Sequence, residues 1–177
     1  MKRTILVVGP DGVGKTTIVS HLAQLTGMPS FKNPTEKQIF REGGRSSLAF
    51  DYTMTHFLHQ TGFGFISDRA YVCEAVYAKV FKRDSDWDLL KRIDTAHANI
   101  GTQILYLYSS ERPFKDDDIV PPERYFDVKL HYDEFMVNTS CEWWSIDTRQ
   151  MLRDYRDGGD SSLEYAKKCL ERLGRSK

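Results

Sequence analysis

Gly9-Pro10-Asp11-Gly12-Val13-Gly14-Lys15-Thr16 fits the pattern G-x-x-x-x-G-K-[ST] at every fixed position. Its surroundings decide how it is read. Upstream, TILVV (residues 4–8) is β-branched and largely apolar, as expected of a strand buried on both faces in the middle of a parallel sheet. Downstream, TTIVSHLAQL (residues 16–25) carries apolar residues at helical spacing. In such a setting glycines let the backbone turn tightly around a phosphate, and the helix adds free N–H groups and the positive end of its dipole. Lys15 then reaches the β- and γ-phosphates as a mobile charge, and the Thr16 hydroxyl ligates Mg²⁺. Asp11, Gly12, Val13, Gly14, Lys15, Thr16 and Thr17 are the expected nucleotide contacts, and ATP and Mg²⁺ the expected cofactors.

Four further strands are expected at 28–31, 64–67, 103–108 and 143–146, the first of them short and containing Pro29. Helices are expected at 35–59, 70–81, 87–99, 122–138 and 161–173, the last with Asp160 or Ser161 as N-cap and Gly174 as its stop. Strands alternating with helices along the whole chain predict an α/β protein, a parallel sheet wrapped by helices. No repeat or low-complexity linker interrupts the 177 residues, so a single domain over 1–177 is expected.

The third strand runs into Asp68-Arg69. Ligands of open parallel sheets gather beyond the carboxyl ends of the strands, so this pair is expected beside the phosphate loop. Asp68 is a candidate for holding Mg²⁺ through water or for orienting the acceptor, and Arg69 for clamping an acceptor phosphate with its planar fork, which makes both candidate catalytic residues beside Lys15.

Gly9–Thr16, Asp68-Arg69 followed by Glu74 and Tyr77, and the late Ile146-Asp147-Thr148 together resemble the thymidylate kinase family of deoxynucleoside monophosphate kinases. The resemblance implies a three-layer P-loop NTPase fold with a five-stranded parallel sheet and a short lid. It also implies ATP- and Mg²⁺-dependent phosphoryl transfer to a pyrimidine nucleotide, and a possible homodimer. The chain departs from the family's T-R-E-P-G-G segment, reading Phe31-Lys32-Asn33-Pro34-Thr35-Glu36-Lys37 instead, and its compactness is similar to bacteriophage-encoded members. By the same resemblance, residues 41–60 supply a base-stacking aromatic and an arginine, for which Phe50 and Arg45 are the candidates beside Tyr77, while Arg149 borders the adenine. Phe50, Met54 and Phe57 also have the spacing of a core stripe. Residues 109–125 occupy the place of the lid, where Arg112, Lys115 or Arg124 would reach the transferring phosphoryl group, with Arg112 chosen as the catalytic one. Trp143 and Trp144 are expected in the core.

Composition narrows the alternatives. Twenty-five basic side chains balance 25 acidic ones, which argues against a protein held on nucleic acid by bulk charge. A kinase acting on a hydroxymethylated pyrimidine within DNA stays open as an alternative, a nucleotide-binding regulatory ATPase as a weaker one. Three scattered cysteines and five histidines lack metal-ligand spacing. No run approaches the roughly 20 apolar residues of a membrane span, so a cytoplasmic protein with a small-molecule nucleotide acceptor is expected.

Overall fold

The computed structural model describes residues 4–33, 45–113 and 120–174. Five parallel strands form one sheet: β1 Ile5–Val8, β2 Ser30–Lys32, β3 Ile66–Asp68, β4 Gln103–Tyr108 and β5 Glu142–Asp147, in the order β2-β3-β1-β4-β5. All four residues of β1 are buried, as the apolar run at 4–8 predicts for a central strand. β2 begins after Pro29, which has no N–H to give the ladder and accepts instead, from the Ile66 N–H at 2.9 Å. The chain leaves β1 toward β2 and leaves β3 toward β4, in opposite directions. Beyond the carboxyl ends of these two neighbouring strands lies the crevice that open α/β sheets use for ligands.

Seven helices among the described residues cover the two faces: α1 Lys15–Thr26, α2 Arg45–Thr61, α3 Tyr71–Val80, α4 Trp87–Asn99, α5 Tyr125–Asn138, α6 Arg149–Arg156 and α7 Ser162–Gly174. On one face Ile5 and Val7 pack with Ile18 and Leu22 of α1, Met151 of α6, and Cys169 and Leu173 of α7. On the other, Leu6 and Val8 pack with Val76 of α3, Ile93 of α4, and Tyr132 and Met136 of α5. The result is the three-layer, five-stranded parallel architecture expected from the sequence. No described helix is long and apolar enough to cross a membrane.

Several local expectations are corrected. Residues 35–44 of the first long helix lie outside the described residues, and its described part runs to Thr61. The inward stripe of α2 is Leu48, Asp51, Thr55 and Leu58, whereas Phe57 is 47% exposed. Two polar residues sit on the buried stripe, and of the apolar positions expected there Phe50 and Met54 are half-buried beside it while Phe57 is not. The expected helix at 122–138 opens with a 3-10 turn, Pro122–Arg124, before α5. Helix α6 has no sequence signal, because it has two turns and buries only Met151. Trp143 is exposed because β5 is an edge strand with one covered face, and only Trp144 joins the core. All three cysteines are free and buried.

Candidate functional site

The loop after β1 calls for glycine at two points, by backbone conformation at both and by close approach to backbone at the first. Gly9 has φ 143°, and a Cβ there would lie 1.9 Å from the Leu107 carbonyl oxygen of β4. Gly14 has φ 86°, and a Cβ would meet Met151 Cε at 2.4 Å. Val13 between them is fully buried and pegs the loop to the core. Gly14 is the N-cap of α1, with no side-chain cap and no acidic residue in the first turn. The helix therefore brings free N–H groups and positive dipole to the loop without a protein carboxylate in its first turn to neutralise them. Lys15 is buried, and its ammonium donates to the Gly9 carbonyl (2.9 Å), the Pro10 carbonyl (2.6 Å) and Asp11 Oδ1 (3.2 Å). Burial pulls its pKa down, against the opposing attraction of Asp11.

Asp68, at the end of β3, faces this loop. Its Oδ2 accepts from Thr16 Oγ1 at 2.7 Å, and its Oδ1 is buried with no hydrogen-bond partner among the described residues. A hydroxyl and a carboxylate side by side, one oxygen of which still needs a partner, suit a hard cation that keeps some of its waters. Thr16 and Asp68 thus fit Mg²⁺.

Arg69 takes a left-handed conformation, φ 73°, unusual for a side chain with a Cβ. Its N–H donates to the Val7 carbonyl (3.0 Å) and its own carbonyl accepts from Ser67 Oγ (2.6 Å), which fixes the turn. The buried guanidinium donates to Asp11 Oδ1 through Nη2. Burial works against its charge, but the Asp11 carboxylate outweighs that and raises its pKa. Tyr77 Oη lies 3.4 Å from Asp11 Oδ2, while the ring is fully buried and stacked on Phe81. Asp11 thereby gathers Lys15, Arg69 and Tyr77. The motif names Asp11 only among the nucleotide contacts, because nothing in its spacing reveals partners so far along the chain.

Beside Arg69, directly after β2, Asn33 is 2% exposed and reaches into α2. Its Nδ2 lies 3.1 Å from each oxygen of Asp51, whose carboxylate also accepts from the Tyr71 N–H at the start of α3. Burial raises the Asp51 pKa to about 7, although both hydrogen bonds favour its ionised form. Sequence reasoning missed this pair. Phe50, the predicted stacking aromatic, is half-buried with its ring edge-on to Phe31 at 5.8 Å. Arg45 opens α2 and its side chain, like Arg41 and Lys115, lies outside the described residues. Glu74 is spent on structure, holding Arg83 through two contacts of 2.6 Å and Ser85 Oγ at 2.7 Å.

On the opposite side of the loop, Tyr125 Oη bridges the Ser109 N–H (2.9 Å) and carbonyl (3.0 Å), pinning the two ends of the expected lid together. Arg112 is exposed near the first end. Arg124 is committed elsewhere, to the Val80 carbonyl (2.9 Å) and Asp127 (2.7 Å), and is a poor candidate for a cation that arrives on closure. Arg149 begins α6, its N–H donating to Asp147 Oδ1 at 2.9 Å and its guanidinium 3.8 Å from Glu111. Burial opposes ionisation of Asp147, but hydrogen bonds from Ser110 and Arg149 hold its pKa below the usual carboxylate value.

Neither a family model nor a curated protein sequence matches the chain. Among solved structures, YorR of Bacillus subtilis, in complex with phosphorylated GDP, matches with a TM-score of 0.68 at 22% identity, over 97% of this chain and 95% of that one. Deoxyadenosine kinase of M. mycoides with bound dATP matches with a TM-score of 0.57 at 17% identity, over 98% and 100%. Shikimate kinase of Acinetobacter baumannii in complex with shikimate gives 0.57 at 18%, over 100% and 97%. At these identities the likeness is one of fold.

Proposed function

We propose that this chain is an ATP- and Mg²⁺-dependent kinase that transfers the γ-phosphoryl group to a deoxynucleoside monophosphate, a pyrimidine such as dTMP or a modified dUMP. One observation carries the reading: Lys15 and Arg69, a loop cation and a strand-end cation, meet across the crevice on the single carboxylate of Asp11. The loop cation serves the donor phosphates. A second, forked one beside it suits the phosphate of an acceptor. The names of the similar structures, a protein holding phosphorylated GDP and two small-molecule kinases, support phosphoryl transfer in general and leave the pyrimidine to the resemblance read from the sequence.

The residues divide the work by position. The loop N–H groups from Asp11 to Thr17 hold the donor phosphates, and Lys15 follows the charge on the γ-phosphoryl group. Thr16 and Asp68 would hold Mg²⁺, which supplies neutralising charge on the phosphate oxygens. Arg69 binds the acceptor phosphate, whose ionised oxygen forms the new bond to phosphorus as the bond to the β-bridging oxygen breaks, leaving ADP. Two polyanions are brought together by three positive centres, which is most of what such a transfer requires. Arg112 adds charge from the lid side, Arg149 borders the adenine, and Arg45, Phe50 and Tyr77 border the acceptor.

The test is incubation with ATP and Mg²⁺ against separate acceptors, with products identified by mass spectrometry. The panel comprises dTMP, dUMP, hydroxymethyl-dUMP, dCMP, dGMP, free deoxynucleosides and hydroxymethyluracil-containing DNA. A diphosphate formed from a pyrimidine monophosphate is the expected result. Phosphate appearing only on DNA, or ATP hydrolysis that no acceptor diverts, would overturn it.

A further inference from the structure

Asn33 and Asp51 make a polar pair where a core would ordinarily be apolar, and while Asp51 is ionised the pair has a fixed sense. Asn33 Nδ2 faces both oxygens of Asp51 at 3.1 Å, and the Tyr71 N–H donates to the same carboxylate. An ionised carboxylate only accepts, so the NH₂ of the amide must turn toward it and the carbonyl must turn away. That carbonyl oxygen, Oδ1, is buried and has no hydrogen-bond partner among the described residues. A buried acceptor left unmet is costly, and one held in place by a second buried polar group is oriented toward something.

Its location says toward what. The Asn33 N–H donates to the Asp68 carbonyl at 3.0 Å, so Asn33 continues the β2–β3 ladder by one residue. Lys32 pairs with Asp68, and side chains alternate along a strand. Asn33 therefore falls on the sheet face that carries α2 and α3, whereas Asp68 faces Thr16 of α1. Asp68 and Asn33 thus lie on opposite faces of the sheet at the ends of two neighbouring strands, and Arg69 follows Asp68 directly.

We propose that Asn33 is a specificity-determining contact for the acceptor, its Oδ1 accepting a hydrogen bond from one neutral O–H or N–H of that molecule, and that Asp51 is the positioning residue that holds the amide in this sense. The proposal rests on the kinase reading above and narrows it. An acceptor oxygen repels a phosphate, so Asn33 meets the nucleoside part and leaves the phosphate to Arg69. Of the described carboxylates around the crevice, Asp11 is engaged by Arg69 and Lys15 and Asp51 by Asn33 and Tyr71, while Asp68 meets Thr16 through one oxygen and keeps the other for Mg²⁺. This arrangement suits an attacking oxygen that arrives ionised, as a monophosphate does, with a sugar hydroxyl or base N–H to satisfy Asn33.

For dTMP the neutral donors are the 3′-hydroxyl and N3–H, so 3′-deoxy-dTMP and N3-methyl-dTMP each remove one. Steady-state kinetics at about pH 8, where Asp51 is ionised, separate the cases. In the wild type, loss of one of the two donors is expected to raise the acceptor KM by about tenfold, the scale of one hydrogen bond. Asn33→Ala should raise the dTMP KM by a similar factor, leave the ATP KM within about twofold, and no longer distinguish dTMP from that analogue. Asp51→Asn, which frees the amide to flip, should blur the same discrimination with a retained cooperative melt; it carries the test if Asn33→Ala fails to fold. Wild-type indifference to both analogues, or variants that discriminate as the wild type does, would overturn the proposal while leaving the kinase intact. Failure of the wild type to phosphorylate any monophosphate would remove the kinase reading itself, a result distinct from either.

Discussion

The two sides of the crevice hold their polar groups in different ways. On the side proposed for the donor the groups are mostly main chain, placed by two glycines: Gly9, pressed on the Leu107 carbonyl, and Gly14, held at φ 86°. Eight consecutive residues contain nearly all of it. On the side proposed for the acceptor the groups are side chains drawn from separate elements. Asn33 comes from the end of β2, Asp51 from α2, Arg69 from the turn after β3 and Tyr77 from α3. The face behind them continues in the same manner, with Tyr71 Oη on Asp94 (2.7 Å) and His97 between Thr55 (2.9 Å) and Thr102 (3.0 Å). A phosphate presents the same shape in every donor, so a rigid loop suffices for it. Acceptors differ, and buried polar pairs can be exchanged without rebuilding the backbone.

That contrast can be broken first at its cationic pair. Lys15→Ala is expected to reduce turnover by about two orders of magnitude, since it removes charge from the transferring group where water is excluded. A rate close to that of the wild type, measured with saturating ATP, would detach the loop from the chemistry. Arg69→Lys keeps the charge but loses the fork, and the acceptor KM should rise about tenfold while the ATP KM stays constant. Equal effects on both KM values would mean that the two sides are not separate.

The smallest effect sharpens the contrast through stability instead of rate. Burial lowers the His97 pKa from 6.5 to about 4, opposed by Asp94. Its neutral form is favoured by folding, so its contribution is complete above pH 6.5 and is lost as the pH falls toward 4, by up to about 3 kcal/mol. Asp51 runs the other way. With its pKa raised to about 7, its contribution is present at low pH and lost as the pH rises through the same range. Chemical denaturation between pH 4 and 7 should therefore lose one slope in His97→Gln and the opposite slope in Asp51→Asn. A pH dependence unchanged in both variants would show that this face does not hold them as described.

What could be read from the sequence follows the same division. Strand β1, the loop and α1 are legible because all the needed information is local: a β-branched run, four fixed positions and a helical repeat. Asp68-Arg69 is legible through the rule that ligands gather at strand ends. Asn33 is silent, because one asparagine before a proline looks like a turn until Asp51, eighteen residues on, is known to face it. The inward stripe of α2 was misread for a related reason, since Asp51 and Thr55 occupy it and polar residues predict an outer face. Helix α6 has too few turns for a period to show, and Trp143 lies at a sheet edge that no local pattern marks.

The claim that donor and acceptor meet on either side of Asp11 is tested most directly by binding a single molecule that spans both sides. Adenosine joined to thymidine, 5′ to 5′, through five phosphates should bind the wild type by calorimetry at least about tenfold more tightly than ATP, because the second half binds as part of an already docked ligand. The advantage should disappear in Arg69→Lys. Affinity no greater than that of ATP, with Arg69→Lys indistinguishable from wild type, would contradict a second phosphate site across the crevice.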